Sequence, residues 1–237
     1  MAYGNVIFDL DGTLVDSLPG IEWSVDAALA AAGVAPRQCD LKPLIGPPIR
    51  HILAEVSQVT DEAVLDRLEQ AFRSSYDANG WRLTAGHPGV AWLLETLTVR
   101  GASLWVVTNK PAACTRMILD ALRLTPWFRE IVCRDSRSPV YVSKSEMLQD
   151  LVQRRELDAD CLMVGDTLED AHAAAAVGMG CVLVPHGYRR GLEATLPPGC
   201  RNIDGWNELL QILASLRAPY PVWHAAESRL ENQYDRP

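Results

Sequence analysis

The run Asn5–Ser17, NVIFDLDGTLVDS, places two carboxylates, Asp9 and Asp11, at the end of a short apolar segment. Polar groups recur at comparable places further on. Thr108 and Asn109 follow the apolar run Ser103–Val107, Asp166 and Asp170 follow Cys161–Val164, and Lys144 opens the helical pattern before that run. A carboxylate can attack an electrophile directly, and a neighbouring acid can move the protons that such chemistry requires. Asp166 and Asp170 stand i,i+4 at a helix start, a spacing that suits a divalent cation taking oxygen ligands. Taken singly, each feature has an ordinary reading. Asp11-Gly12 is a common turn, Asp170 a solvated helix residue, Lys144 a surface lysine, and Thr108-Asn109 a strand terminus. Lys110 is a rival to Lys144, and His172 reads as a packing or surface residue.

The elements that would position these groups follow from periodicity. Short apolar runs at Val6–Leu10, Ser103–Val107, Glu130–Cys133, Cys161–Val164 and Cys181–Val184 read as buried strands. Helical patterns separate them. Gly89–Arg100 carries Val90, Leu93, Leu94 and Leu97 and stops at Gly101, and a helix starts at Pro111. Further helices cover Ser143–Glu156, Thr167–Val177 and Asn207–Leu216. Strand–helix alternation predicts an α/β fold with a parallel sheet covered on both faces, whose ligands bind beyond the C-terminal strand ends. Every candidate group above lies at such an end or at a helix start near one.

One interval breaks the rhythm. Nearly a hundred residues separate the first strand from the second, far more than one crossover needs. Leu18–Ala32, Ile49–Val56 and Thr60–Tyr76 read as helices, the last with Thr60 as N-cap. The expectation is a small helical domain over residues 17–81 inserted into a core of residues 1–16 and 82–237. Residues 218–237 have no clear period and read as a loose tail.

Bulk properties exclude several classes. The chain has 237 residues, 48% hydrophobic and 22% charged, with net charge −8. That balance argues against nucleic acid or an anionic membrane as partner. No apolar stretch approaches the roughly 18 residues of a membrane span, and no secretory leader pattern precedes the first strand. The six cysteines show no paired spacing and read as small hydrophobes, which points to a reducing cytoplasm.

FDLDGT, TN, a lone lysine and GDTLED, in that order, resemble the four motifs of the haloacid dehalogenase superfamily of phosphohydrolases. The resemblance spans about residues 5 to 187. It implies a Rossmann-like core with the insertion as a C1 helical cap. In that frame Asp9 is the nucleophile that forms an aspartyl-phosphate. Asp11 protonates the leaving alkoxide and then activates water, and Lys144 adds positive charge. Thr108, Asn109 and the backbone at Gly12 would bind phosphoryl oxygens. Mg²⁺ is the implied cofactor, on Asp9, Asp166, the Asp11 carbonyl and Asp170, the last directly or through water.

Asp11, Asp166 and Asp170 argue against the dehalogenases of the superfamily, which lack the second acid of the first motif. The cap loop Leu44–Arg50 lacks the lysine and serine of the sugar phosphomutases. IGPPIR, HPGV, VVTNKP and HGY resemble phosphoglycolate phosphatase-type enzymes, so the expected substrate is a small phosphorylated metabolite. Gly46 and Arg50 would face it from the cap, Arg50 reaching a substrate carboxylate or else lying on a solvated helix face. A β-phosphoglucomutase-type mutase and a catalytically idle binding protein stay as alternatives, as do monomer and homodimer. The segments near Asp16-Ser17 and Trp81–Gly86 are expected to hinge.

Overall fold

The apolar tetrapeptide Asn5–Phe8 forms β1, wholly buried at the centre of a six-stranded sheet. The computed structural model describes residues 4–154, 157, 161–188 and 195–214. After β1 come β2 (Val15–Asp16), α1 (Leu18–Ala31), α2 (Ile49–Ser57), α3 (Glu62–Ala78), β3 (Ala85–Gly86) and α4 (Val90–Val99). Then follow β4 (Ser103–Thr108), α5 (Ala112–Ala121), β5 (Phe128–Cys133), α6 (Lys144–Gln153) and β6 (Cys161–Gly165). The chain continues through α7 (Leu168–Ala176), β7 (Gly180–Leu183), β8 (Cys200–Asn202) and α8 (Trp206–Ile212).

The sheet order is β5-β4-β1-β6-β7-β8, and its pairings are parallel. This is the α/β parallel sheet expected from the alternation, with the Rossmann-like core that the resemblance implied. From β1 the sheet grows first toward β4 and β5, then toward β6, β7 and β8, so β1 is the switch point where a crevice opens. Phe8 lies in register with Val106 on one side and Val164 on the other. The residues just past these strands, Asp9, Thr108 and Asp166, are thereby brought to one rim. Asp9 extends the ladder by donating its N–H to the Val164 carbonyl at 2.9 Å.

Alternation along the strands divides the core. Val6, Phe8, Leu104, Val106, Leu162 and Val164 pack under α4, α5 and α8. Ile7, Trp105, Val107 and Met163 face α6 and α7. The Trp105 indole N–H, buried among these, finds the Asn5 amide oxygen at 2.9 Å. Strand β8 was not apparent in the sequence: its three residues, Cys-Arg-Asn, are half-buried or exposed and show no apolar run. Four of the six cysteines are buried, and none is in a disulfide among the described residues.

Helices α1–α3 form a separate cluster on Ile21, Val25, Leu29, Leu53, Leu68 and Phe72, joined by Cys114 and Tyr188 from the core side. The chain enters and leaves them through β2 and β3, which pair antiparallel, Val15 opposite Gly86 and Asp16 opposite Ala85. The N-cap of α3 is Asp61, whose side chain accepts from Val64 N at 3.0 Å, and not the expected Thr60. A carboxylate one residue later satisfies the end of the helix and places its charge against the dipole. Where the chain returns after α3, Gly80 lies against α1. A methyl on Gly80 would collide with Ser24 Oγ, and one on Gly20 with the Gly80 carbonyl. The expected tail, residues 218–237, lies outside the described residues, as do the predicted ends of α6 and α8. Among the described residues no helix is long and apolar enough to cross a membrane.

Gly80→Ala is expected to lower stability by about 1–3 kcal/mol through overpacking, seen as a lower urea midpoint. An unchanged midpoint would mean that this return does not seat on α1.

Candidate active site

Asp9, Asp166 and Asp170 converge, with one ligand atom of each within 4.8 Å of the others, and all three are buried. β1 delivers Asp9, and β6 delivers Asp166 with Asp170 one helical turn on. Burial raises the pKa of Asp9 well above the usual carboxylate range, and the charges of Asp170 and Asp166 push the same way. Asp166 is pushed up to about 7, chiefly by burial and then by Asp170. For Asp9 and Asp166, loss of solvent disfavours the charged form, and the neighbouring carboxylates add repulsion.

Lys144 answers part of that repulsion. As the first residue of α6, it is almost fully buried and reaches Asp9 Oδ1 at 2.9 Å and Asp170 Oδ1 at 2.5 Å. Burial alone would lower its pKa, but Asp170 and Asp9 outweigh that and raise it. Asp170 is heavily engaged. Its Oδ2 accepts from Thr167 Oγ1 at 2.8 Å and from the N–H groups of Thr167 and Asp166 at 3.1 and 3.2 Å. This capping box starts α7 and fixes the carboxylate that holds Lys144. Asp166 accepts from Tyr188 N at 2.6 Å and Thr13 Oγ1 at 3.3 Å.

The other expected residues fall around this cluster in different ways. The Asp11 side chain is turned to Lys110, whose Nζ sits 3.0 and 3.1 Å from its two oxygens and 4.8 Å above the Tyr76 ring. Thr108 is buried, and its hydroxyl accepts from Lys110 N at 3.2 Å. Asn109 donates to Glu169 Oε1 at 2.8 Å and to the Gly46 carbonyl at 3.2 Å, while its amide oxygen is buried with no partner among the described residues. Gly12, at φ 84°, leaves no room for a side chain against Asp166 and Tyr188, and its N–H is taken by the Val15 carbonyl at 2.7 Å. Gly46 and Arg50 line the cavity above the acids. The Arg50 guanidinium is held by three carboxylates of α3: Glu62, Asp66 at 2.8 Å and Glu69 at 3.1 Å. His172 is exposed.

Several contributors were not singled out from sequence. Gly187 packs so closely on Asp166 that a methyl there would overlap its Cβ. Tyr188 ties that acid to the start of α1. Its hydroxyl accepts from Ser17 N at 2.9 Å and Leu18 N at 3.0 Å and donates to Asp16 at 3.1 Å. Glu169 holds Asn109, and its place inside GDTLED was the available signal. The cavity of about 320 Å³ runs from Asp9 and Lys144 up to Ile45, Phe72 and Tyr76 of the helical insertion.

The haloacid dehalogenase-like hydrolase family model matches residues 6–184, and the chain belongs to that family. A protein of Pseudomonas aeruginosa named 5'-nucleotidase is 32% identical over 190 residues, covering 79% of this chain and 85% of its own. A phosphoglycolate phosphatase of Xylella fastidiosa is 33% identical over 185 residues, covering 78% and 81%. Among solved structures, protein tyrosine kinase A (PtkA) of Mycobacterium tuberculosis superposes with TM-score 0.77 at 32% identity, over 90% of this chain and 98% of that one.

Lys144→Met leaves Asp9 and Asp170 without their buried cation and is expected to cost about 3–5 kcal/mol at neutral pH. The raised pKa of Asp9 means that the folded variant takes up protons before the unfolded chain does, so the deficit should shrink as pH falls. Urea titrations at two pH values read both effects. A loss below about 1 kcal/mol, or one that grows on acidification, would contradict the assigned role.

Proposed function

We propose that this chain is a phosphatase that hydrolyses a small-molecule phosphate monoester in two displacements at Asp9. The observation that carries the reading is the placing of Asp9. It is a buried carboxylate at the switch point of the sheet, with Lys144 2.9 Å from one oxygen, at the floor of the cavity. Attack of its free oxygen on phosphorus releases the alkoxide and leaves an aspartyl-phosphate, which water then cleaves. Lys144 orients the nucleophile and offsets charge on the phosphoryl group. Asp11 protonates the leaving oxygen and later takes a proton from the attacking water. To do so it must exchange Lys110 for the substrate oxygen, so substrate entry and release of that ion pair are one event. Thr108 and Asn109 hydrogen-bond the phosphoryl oxygens. Gly12 contributes room beside Asp166 more than its N–H, which Val15 already engages.

The donor set fits a hard divalent cation: oxygen atoms alone, three of them from the buried carboxylates of Asp9, Asp166 and Asp170, each within 4.8 Å of the others. Mg²⁺ would be held by Asp9, Asp166 and the main-chain carbonyl of Asp11, with Asp170 orienting the set directly or through water. When bound, it supplies positive charge against the phosphate and the attacking carboxylate. Residues 17–81 act as the cap domain and hinge at β2 and β3, closing over the cavity while Asp9 is attacked. The phosphoglycolate phosphatase and 5'-nucleotidase relatives support a small phosphorylated metabolite as substrate. The free cysteines favour a cytoplasmic setting.

Phosphate release from p-nitrophenyl phosphate tests the reading. The expected result is turnover in Mg²⁺, none in chelator and none in Asp9→Asn, with Asp11→Asn slower by about 10²–10⁴-fold. Absence of turnover in Mg²⁺, or activity that survives Asp9→Asn, would overturn it.

A further inference from the structure

Five cations line the cavity above Asp9, and four of them are engaged. Lys144 is paired with Asp9 and Asp170, and Lys110 with Asp11. Arg50 is surrounded by Glu62, Asp66 and Glu69, and Arg73 shares Glu69. The fifth is Arg134. Among the described residues its guanidinium has no hydrogen-bond or ion-pair partner.

Its position is set by the fold. Arg134 is the first residue past β5, and its predecessor Cys133 is in register with Thr108 of β4. It therefore stands on the rim next to the Thr108-Asn109 pair. Its carbonyl accepts from Tyr141 N at 2.9 Å, which pins the backbone while the side chain stays half-buried. Two acids near it in the fold have other partners. Asp135 caps Ala112 N at 2.8 Å, and Glu169 accepts from Asn109 at 2.8 Å. Arg134 also lines a second, more open groove with His51, Gln58 and Ser143, so it marks where the cavity opens outward.

We infer that Arg134 binds a second anionic group on the substrate, carried by the leaving alcohol at the far end from the phosphate. This rests on the phosphatase reading above. In that reading the reacting phosphate is answered by the cation at the acid cluster and by Lys144, so a charge on the leaving group needs its own partner. A free guanidinium offers a planar fork matched to a carboxylate or to a second phosphate. Arg50, the arginine that sequence alone suggested for this task, would first have to leave three carboxylates. The substrate class is thus a phosphate monoester with a second anionic end.

The test compares matched esters that differ at that end, using the full chain in Mg²⁺: 2-phosphoglycolate against 2-hydroxyethyl phosphate, and a sugar bisphosphate against its monophosphate. The carboxylate and second-phosphate sources are separated by which pair responds. Wild type is expected to favour the anionic member of one pair by about 10- to 100-fold in kcat/KM. Arg134→Gln should bring that ratio near one, and Arg134→Lys should recover part of it. Because the readout is a ratio within one preparation, partial misfolding of a variant does not mimic the effect. A wild-type ratio near one for both pairs, or a ratio that Arg134→Gln leaves intact, overturns the assignment and leaves the phosphatase reading standing. Failure of wild type to release phosphate from any ester, p-nitrophenyl phosphate included, overturns both.

Discussion

Like charges gathered in a buried place govern this molecule. Two carboxylates about 4 Å apart repel by about 4 kcal/mol at an effective dielectric constant near 20, and here three meet at a rim with little water. The fold tolerates that only because Lys144 is brought in from α6 and seated between Asp9 and Asp170. The lysine is fixed in turn by a capping box that orients Asp170 from α7. A site of this kind is costly to the protein alone and receptive to a divalent cation: burial, and then the neighbouring charges, raise the pKa of Asp9 and Asp166, and a cation would offset both.

A layer of contacts behind the acids makes the geometry specific. Gly12, Gly165 and Gly187 admit the carboxylates of Asp166 and Asp170 at distances no side chain would allow. Tyr188 does two tasks at once, holding Asp166 through its N–H and the entry to α1 through its hydroxyl. The start of the helical insertion and one of the acids are thus tied to a single residue. Movement of those helices over the cavity would be felt at Asp166 through Tyr188. His186 reinforces the arrangement from behind, with its Nε2 3.1 Å from the Thr13 carbonyl and its ring tilted against that of His87, centroids 4.2 Å apart.

Much of this was legible in the residues themselves. The apolar runs before Asp9, Thr108 and Asp166 define strands, and parallel pairing then brings their ends together whatever lies between. The short, polar β8 carries no such signal, and the α3 cap fell one residue later because Asp61 competes with Thr60. Side-chain partnerships were harder to read. Nothing local says that Lys110 meets Asp11, 99 positions away, or that the Arg134 guanidinium has no hydrogen-bond or ion-pair partner among the described residues. For Arg50 there was a trace: Glu62, Asp66 and Glu69 recur at helical spacing on one face of α3, a surface ready to hold a cation.

The central claim is that Asp9 attacks phosphorus. Acid-quenched single turnover with a ³²P-labelled ester addresses it directly, followed by mapping of the label. The account predicts a transient, base-labile label on the peptide containing Asp9, formed and lost at rates that sustain steady turnover. Turnover with no protein-bound label, or label on a residue other than Asp9, would contradict it.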